Sequence, residues 1–149
     1  AEFYQLAEDY PVEFKAAFGE ATPATYAAAP KQGRDIYIAE GCWHCHSQYV
    51  RPASNEPIRY GEVAVASEFQ NELHMPPMLG TRRVGPDLSR EAGVHSNDWH
   101  VAHFFDPPSV QPGSVMPAYR WFYDDKGRPN KKGLAITAYV QWLGSWKRR

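Results

Sequence analysis

The chain has 149 residues, of which 22% are charged and 14% aromatic, and its formal net charge at pH 7 is -1. This length suits one domain with a modest core, and the balanced charge disfavours nucleic acid or an anionic membrane surface as partner. No run of about 18 apolar residues occurs, so no transmembrane segment is expected.

The first thirty residues mix aromatic, acidic and small side chains with Pro11, Pro23 and Pro30. Because proline interrupts helices, residues 1–30 are predicted to form an irregular arm with one short helix around residues 12–18. This arm is expected to lie on the domain or on a partner. Residues 31–149 are predicted to form the domain itself.

A helix is predicted over residues 31–40, and Gly41 suits its left-handed cap. Residues 47–89 contain scattered prolines and glycines and are predicted to be mostly loop, with one short helix at best within residues 61–73. Ser96 is a good N-cap for a following helix, which Pro107 and Pro108 should stop.

The strongest helix prediction covers residues 131–146 near the end of the chain. Its aromatic and small side chains recur at helical spacing, which predicts one buried face. That face consists of Ala135, Tyr139, Trp142 and Trp146. Because strand-like alternation is nearly absent, the predicted fold class is all-α, small and loop-rich.

The chain's two cysteines both lie in the stretch "GCWHCHSQYV", in which Cys42, Cys45 and His46 form a Cys-x-x-Cys-His motif. A redox disulfide would need a thiolate of low pKa, usually in a βαβ setting that is absent here. A zinc site would need further ligands and would leave His46 without a role. Its two additional ligands would come from His74, His95, His100 and His103.

Covalent haem attachment uses all three residues of the motif. The two thiols would bond the vinyl groups of the porphyrin, and His46 would become the proximal iron ligand. A low-spin electron carrier also needs a second axial ligand, for which thioether sulfur is suitable. Met75, Met78 and Met116 all lie next to prolines, so spacing alone does not choose between them.

Two further features resemble class I c-type cytochromes. Gly85-Pro86-Asp87-Leu88 matches the Gly-Pro-x-Leu stretch of that class, in which the proline carbonyl accepts the second N–H of the proximal histidine. The resemblance therefore implies that the Pro86 carbonyl binds His46. Gly33 with Tyr37, and Tyr139 with Trp142, resemble the crossing of the first and last helices in the same class. The expected fold is small helices wrapped around one covalent haem c.

A closer resemblance covers about residues 33–119. The runs "GCWHCHSQYVRP", "RYGE" and "GTRRVGPDLSREAGVHSNDWHVAHFFDPPSVQPGSVMPAY" occur in the order typical of the mono-haem cytochrome c subunit of cbb3-type haem-copper oxidases. This resemblance implies that Met116 is the sixth iron ligand and that Met75 and Met78 only pack. It also implies a periplasmic location and redox proteins as electron donor and acceptor.

Members of that family carry an N-terminal membrane anchor, whereas residues 1–32 here are polar and contain prolines. Two functions therefore stay open: a carrier that shuttles electrons between periplasmic or membrane partners, and a haem c subunit of an oxidase or other oxidoreductase complex. With both axial positions filled, the chain is expected to transfer electrons and not to act as an enzyme. The competing interpretation is a catalytic or gas-sensing haem protein. In that case Met116 would not ligate the iron or would be displaced easily.

Cationic and hydrogen-bond donor side chains should bind the two haem propionates. The residues predicted for this role are Arg51, Arg59, Tyr60 and Arg83.

Overall fold

The computed structural model describes residues 5–147, which fold into α-helices joined by 3₁₀ turns and loops. The α-helices are α1 (Leu6–Asp9), α2 (Pro11–Phe18), α3 (Pro23–Ala39), α4 (Glu56–Tyr60), α5 (Asn97–Phe105), α6 (Pro107–Val110) and α7 (Lys131–Trp142). This range contains no β-strand, only one isolated bridge between Tyr123 and Pro129. The predicted all-α class is therefore confirmed.

The N-terminal arm is helical and not irregular as predicted. Helix α2 confirms the short helix expected around residues 12–18, but α1 precedes it and α3 begins before the arm ends. Pro11 and Pro23 occupy first helical positions, where a backbone N–H has no intrahelical acceptor, so these prolines start helices. Residues 1–4 and 148–149, the outermost parts of the two predicted segments, lie outside the described residues.

Helix α3 starts eight residues earlier than predicted and crosses the predicted boundary at residue 30. Thr22 and Thr25 form a reciprocal capping box that fixes the start, and Pro30 lies buried inside the helix. The cap and the packing of this helix outweigh the missing N–H of Pro30. At the other end, Gly41 has φ 70° and ψ 30°, the left-handed conformation expected of it.

Between residues 47 and 89 the chain is mostly loop, as predicted. Its α-helical piece is α4 and not the predicted stretch 61–73, which forms two 3₁₀ turns instead. Ser96 caps α5 by accepting a hydrogen bond from the Trp99 N–H at 3.1 Å, as expected. Pro107 and Pro108 end α5 and immediately begin α6.

Helix α7 lies at the centre of the molecule and ends at Trp142, four residues earlier than predicted. From residue 133 to residue 141 it is buried on all sides and not on one face only. One side packs into a cluster with Tyr37, Phe104 and Phe122. Its Leu134 and Ala138 pack into a second cluster, whose other members come from the arm: Leu6, Tyr10, Phe14 and Ala29. The arm therefore completes the burial of α7.

Helices α3 and α7 cross at Gly33. A Cβ atom on Gly33 would lie 1.9 Å from the carbonyl oxygen of Ala135 and 2.6 Å from the Cβ of Tyr139. The rings of Tyr37 and Tyr139 meet edge to face beside this contact, with 5.3 Å between their centroids. The predicted crossing of first and last helices is confirmed, although α1 and α2 precede α3. No helix within residues 5–147 has the length and apolarity needed to cross a membrane.

We expect Gly33→Ala to lower the free energy of unfolding by about 1–3 kcal/mol, because the added methyl group forces the two helices apart. The sign of this change in stability is informative, because glycine-to-alanine substitution in an unconstrained helix stabilises the helix by about 1 kcal/mol. Chemical denaturation of the haem-loaded protein measures this change.

Ala27, exposed on the same helix, provides the control: Ala27→Ser also adds one heavy atom and should change the stability by no more than about 0.5 kcal/mol. A Gly33→Ala protein as stable as the parent would show that the helices do not touch here.

Candidate functional site

The Cys-x-x-Cys-His motif lies in one tight turn after α3. Cys42–His44 form a 3₁₀ turn, and the backbone N–H groups of Cys45 and His46 both donate to the Cys42 carbonyl, at 3.1 and 2.9 Å. Cys42 is half-buried and Cys45 exposed, and both thiols are free. This turn brings the two thiols and the imidazole together within five residues.

Neither alternative use of the cysteines has support in this geometry. Burial raises the pKa of the Cys42 thiol to about 12, opposite to the low pKa that a redox-active thiolate needs. Within residues 5–147, no group of three or more His, Cys, Asp or Glu side chains could hold a metal ion, so the zinc interpretation also lacks its ligand set.

The imidazole of His46 is held against the segment that carries Gly85 and Pro86. Its Nδ1–H donates to the Pro86 carbonyl at 2.8 Å, which leaves the lone pair on Nε2. Burial lowers the pKa of this imidazole below its ordinary value, which favours the neutral form that binds metals.

Gly85 lies flat against the same ring. A Cβ atom at Gly85 would be 2.4 Å from Cε1 and 2.8 Å from Nδ1 of His46, so a larger residue has no room there. The Gly85 N–H also donates to the Cys45 carbonyl at 2.8 Å. The ring therefore has a fixed plane and one free nitrogen.

Apolar side chains of the motif and of three other segments share one core cluster. Half-buried residues from four parts of the chain pack against the same core cluster: Cys42, Trp43, Met78, Leu88, Met116 and Tyr119. Val84 and Val115, which are next to Gly85 and Met116 in the sequence, are 58% and 78% exposed. Apolar packing shared with Cys42 and Trp43 of the motif, together with exposed valines in the loops of Gly85 and Met116, fits a covalently attached porphyrin.

The three methionines differ in their surroundings. Met75 is 55% exposed, whereas Met78 and Met116 are half-buried and pack against one core cluster. The Met116 N–H donates to the Ser114 hydroxyl at 3.2 Å. Met78 and Met116 are therefore the two thioethers that pack against the same core cluster as Cys42 and Trp43.

The four predicted propionate residues lie together, around a carboxylate that the sequence analysis missed. Glu56 is buried, accepts the Arg51 backbone N–H at 2.8 Å and side-chain Nε–H at 2.7 Å, and also pairs with Arg83. These arginines lower the pKa of Glu56 to about 2. The guanidinium groups of Arg59 and Arg83 lie 5.0 and 5.4 Å from the ring centroid of Tyr60. In the sequence, Glu56 is marked only as an acidic residue directly before a proline, between Arg51 and Arg59.

The helical fold, the motif turn and the histidine held by a proline carbonyl are the features of a c-type cytochrome. A family model described as cytochrome c oxidase, mono-haem subunit/FixO, matches residues 19–145. Since the match spans most of the 149 residues, the chain belongs to this family. A search of the curated proteins gave no match.

Family membership confirms the resemblance to the oxidase subunit and the single haem c as cofactor, with which the two cysteines are compatible. The protein is a haem electron carrier of the respiratory chain, and the cytochrome oxidase complex to which such subunits belong is the enzyme. Of the two functions left open by the sequence, the match supports the oxidase subunit.

The Glu56 cluster predicts a component of acid sensitivity. The carboxyl pKa falls on folding from its ordinary 4.5 to about 2, so the ion pairs stabilise the folded protein above pH 4.5 and this contribution is lost as the pH falls toward 2. We expect Glu56→Gln to be less stable than the parent at neutral pH and to lose less stability between pH 4.5 and pH 2.

Denaturant unfolding across this pH range measures the effect, with the exposed Glu8→Gln as matched control. Parallel pH profiles for Glu56→Gln and the parent protein would contradict the role assigned to these ion pairs.

Proposed function

We propose that this protein carries single electrons on one haem c inside an oxidase complex, with the haem attached through Cys42 and Cys45 and its iron ligated by His46 and Met116. The observation that carries the proposal is the His46 imidazole, fixed by Pro86 and Gly85 with Nε2 left as the free donor. When bound, the haem supplies the reversible one-electron change between ferric and ferrous iron.

The contacts of His46 suit a proximal ligand in two ways. The hydrogen bond from Nδ1–H to the Pro86 carbonyl fixes the tautomer and makes Nε2 a stronger electron donor. The close approach of Gly85 prevents the ring from turning. Both contacts hold the nitrogen in the same place whatever the oxidation state of the iron, so little rearrangement accompanies electron transfer.

Backbone connections favour Met116 over Met78 as the second axial ligand. The segment of Met78 is joined to the His46 side of the site, because the Leu79 carbonyl accepts the Gln48 N–H at 3.2 Å. Gly80 lies so close that a Cβ there would be 2.6 Å from the His46 carbonyl oxygen. A sixth ligand must approach the iron from the face opposite His46, and Met116 comes from a separate loop between α6 and α7.

For the haem propionates we propose the cluster formed by Arg51, Arg59, Tyr60 and Arg83. Arg51, although paired with Glu56, and Arg59 have exposed side chains that an anionic group can approach. Arg83 is less exposed and makes contacts with Ser47, Tyr49, Glu56 and Asp87. Arg83 therefore holds the cluster together, while Arg51 and Arg59 bind the propionates.

We further propose that the domain works on the periplasmic side of the membrane, where c-type haem is attached. It would receive electrons from a redox protein and pass them to a partner subunit of the oxidase. Because both axial positions are filled by side chains, the iron has no site for a substrate, which is why this subunit transfers electrons and performs no catalysis itself.

Replacement of the sixth ligand tests the proposal. We expect Met116→Ala to abolish the weak far-red absorption band of the ferric protein, which reports thioether ligation, and to allow rapid binding of carbon monoxide to the ferrous protein. Met75→Ala, at an exposed methionine, serves as the matched control and should leave both properties unchanged.

Met78→Ala completes the experiment, since Met78 is also half-buried near the site. Loss of the far-red band in Met78→Ala but not in Met116→Ala would show that the assigned ligand is wrong. Rapid carbon monoxide binding by the parent protein would contradict its function as an electron carrier.

A further inference from the structure

The carboxylate of Asp87 is a fully buried acidic group in the loop that carries Pro86. Asp87 follows Pro86 directly, and its side chain has no exposed surface. Its Oδ2 accepts the Ser47 hydroxyl at 2.6 Å and the Tyr49 N–H at 2.8 Å, and its Oδ1 accepts the Ser89 N–H at 2.9 Å. A guanidinium nitrogen of Arg83 lies 3.5 Å from Oδ2. The buried charge is thus compensated by several donors.

These donors come from both segments that form the contact between His46 and Pro86. Ser47 immediately follows His46, and Ser89 lies on the loop of Pro86. The Leu88 N–H also donates to the Ser47 carbonyl at 2.8 Å, and Arg83 Nε–H donates to the Ser47 hydroxyl at 2.5 Å. Asp87, the residue after the proline, is therefore bound directly to Ser47, the residue after the histidine.

We infer that Asp87 is a positioning residue that keeps the Pro86 carbonyl at hydrogen-bond distance from His46 and so sets the reduction potential of the haem. This inference rests on the proposed ligation of iron by His46. Ser47 takes part in the same positioning, because its hydroxyl, directly after His46 in the chain, donates to the Asp87 carboxylate.

The direction of the effect follows from two contributions of the same sign. A firm hydrogen bond to the Pro86 carbonyl makes the imidazole a better electron donor, which stabilises ferric iron. A buried negative charge directly after the Pro86 that binds His46 would also favour the more positive oxidation state of iron held by that histidine. Loss of the Asp87 charge, or of its hold on Ser47, therefore raises the potential.

The experiment compares the haem-loaded parent protein with Asp87→Asn, Ser47→Ala and Asp124→Asn in redox titrations. Asp124 is a control matched in hydrogen bonding and exposed to solvent: its carboxylate also accepts two backbone N–H groups in a loop, from Lys126 and Arg128. We expect Asp87→Asn to raise the ferrous-to-ferric ratio at fixed ambient potential about threefold or more, which corresponds to ~28 mV or more.

Ser47→Ala should shift the ratio in the same direction by a smaller factor, although it changes no charge, and Asp124→Asn should not shift it. If Asp87→Asn fails to fold with haem, Ser47→Ala alone decides. A potential in Ser47→Ala and Asp87→Asn equal to that of Asp124→Asn would overturn the inference and make Asp87 a purely structural residue.

The ferric spectrum of the parent protein separates this result from failure of the proposed function. A low-spin, histidine-ligated parent with no shift in the variants would defeat only the role of Asp87. A parent without histidine ligation would defeat the proposed function, and the inference with it.

Discussion

Two segments of this protein lie unusually close together, and the site depends on that contact. The backbone around Gly80 and Gly85 rests directly on His46, so near that a single Cβ atom at either glycine would collide with it. Four backbone hydrogen bonds join the same segments, with the donors on Gln48, Thr81, Gly85 and Leu88. As a result, the loop that carries Pro86 has one position relative to the imidazole, and the ring has one orientation.

The helices supply the frame for this contact. Gly33 lets α3 approach α7 closely, and α3 leads directly into the Cys42 turn, so the position of the thiols is set by that crossing. The arm covers the other side of α7 and is fixed there by polar contacts, among them the Tyr10 hydroxyl to the Asp98 carboxylate at 2.5 Å. The described part of the arm is thereby integrated with the domain and not attached to it loosely.

Features encoded in short stretches could be predicted from the sequence. The Cys-x-x-Cys-His spacing, the Gly-Pro pair at 85–86, the cap at Ser96 and the helix crossing at Gly33 each depend on a few neighbouring residues or on one distinctive glycine. The start of α3 was missed because Pro30 suggested an interruption, whereas the capping box at Thr22 and the burial of the helix stabilise it.

Features created by distant contacts could not be predicted in this way. The burial of α7 on all sides depends on residues of the arm more than a hundred positions away, so a one-sided pattern was expected. The sequence pattern assigns no role to the carboxylate of Glu56 or of Asp87, and only the fold surrounds them with arginine and hydroxyl donors. The axial methionine was assigned by resemblance, since the three Met-Pro neighbourhoods look alike.

The most direct test of the account is the methyl NMR spectrum of the ferrous protein with ¹³C-methyl-labelled methionine. A methionine methyl group that lies over the porphyrin as axial ligand is shifted far upfield by the ring current. Ligation by Met116 predicts one such signal among the three methionines, present in the parent protein and in Met78→Ala but absent in Met116→Ala. A spectrum without an upfield methyl signal, or one whose signal survives in Met116→Ala, would contradict the ligation of the haem by His46 and Met116.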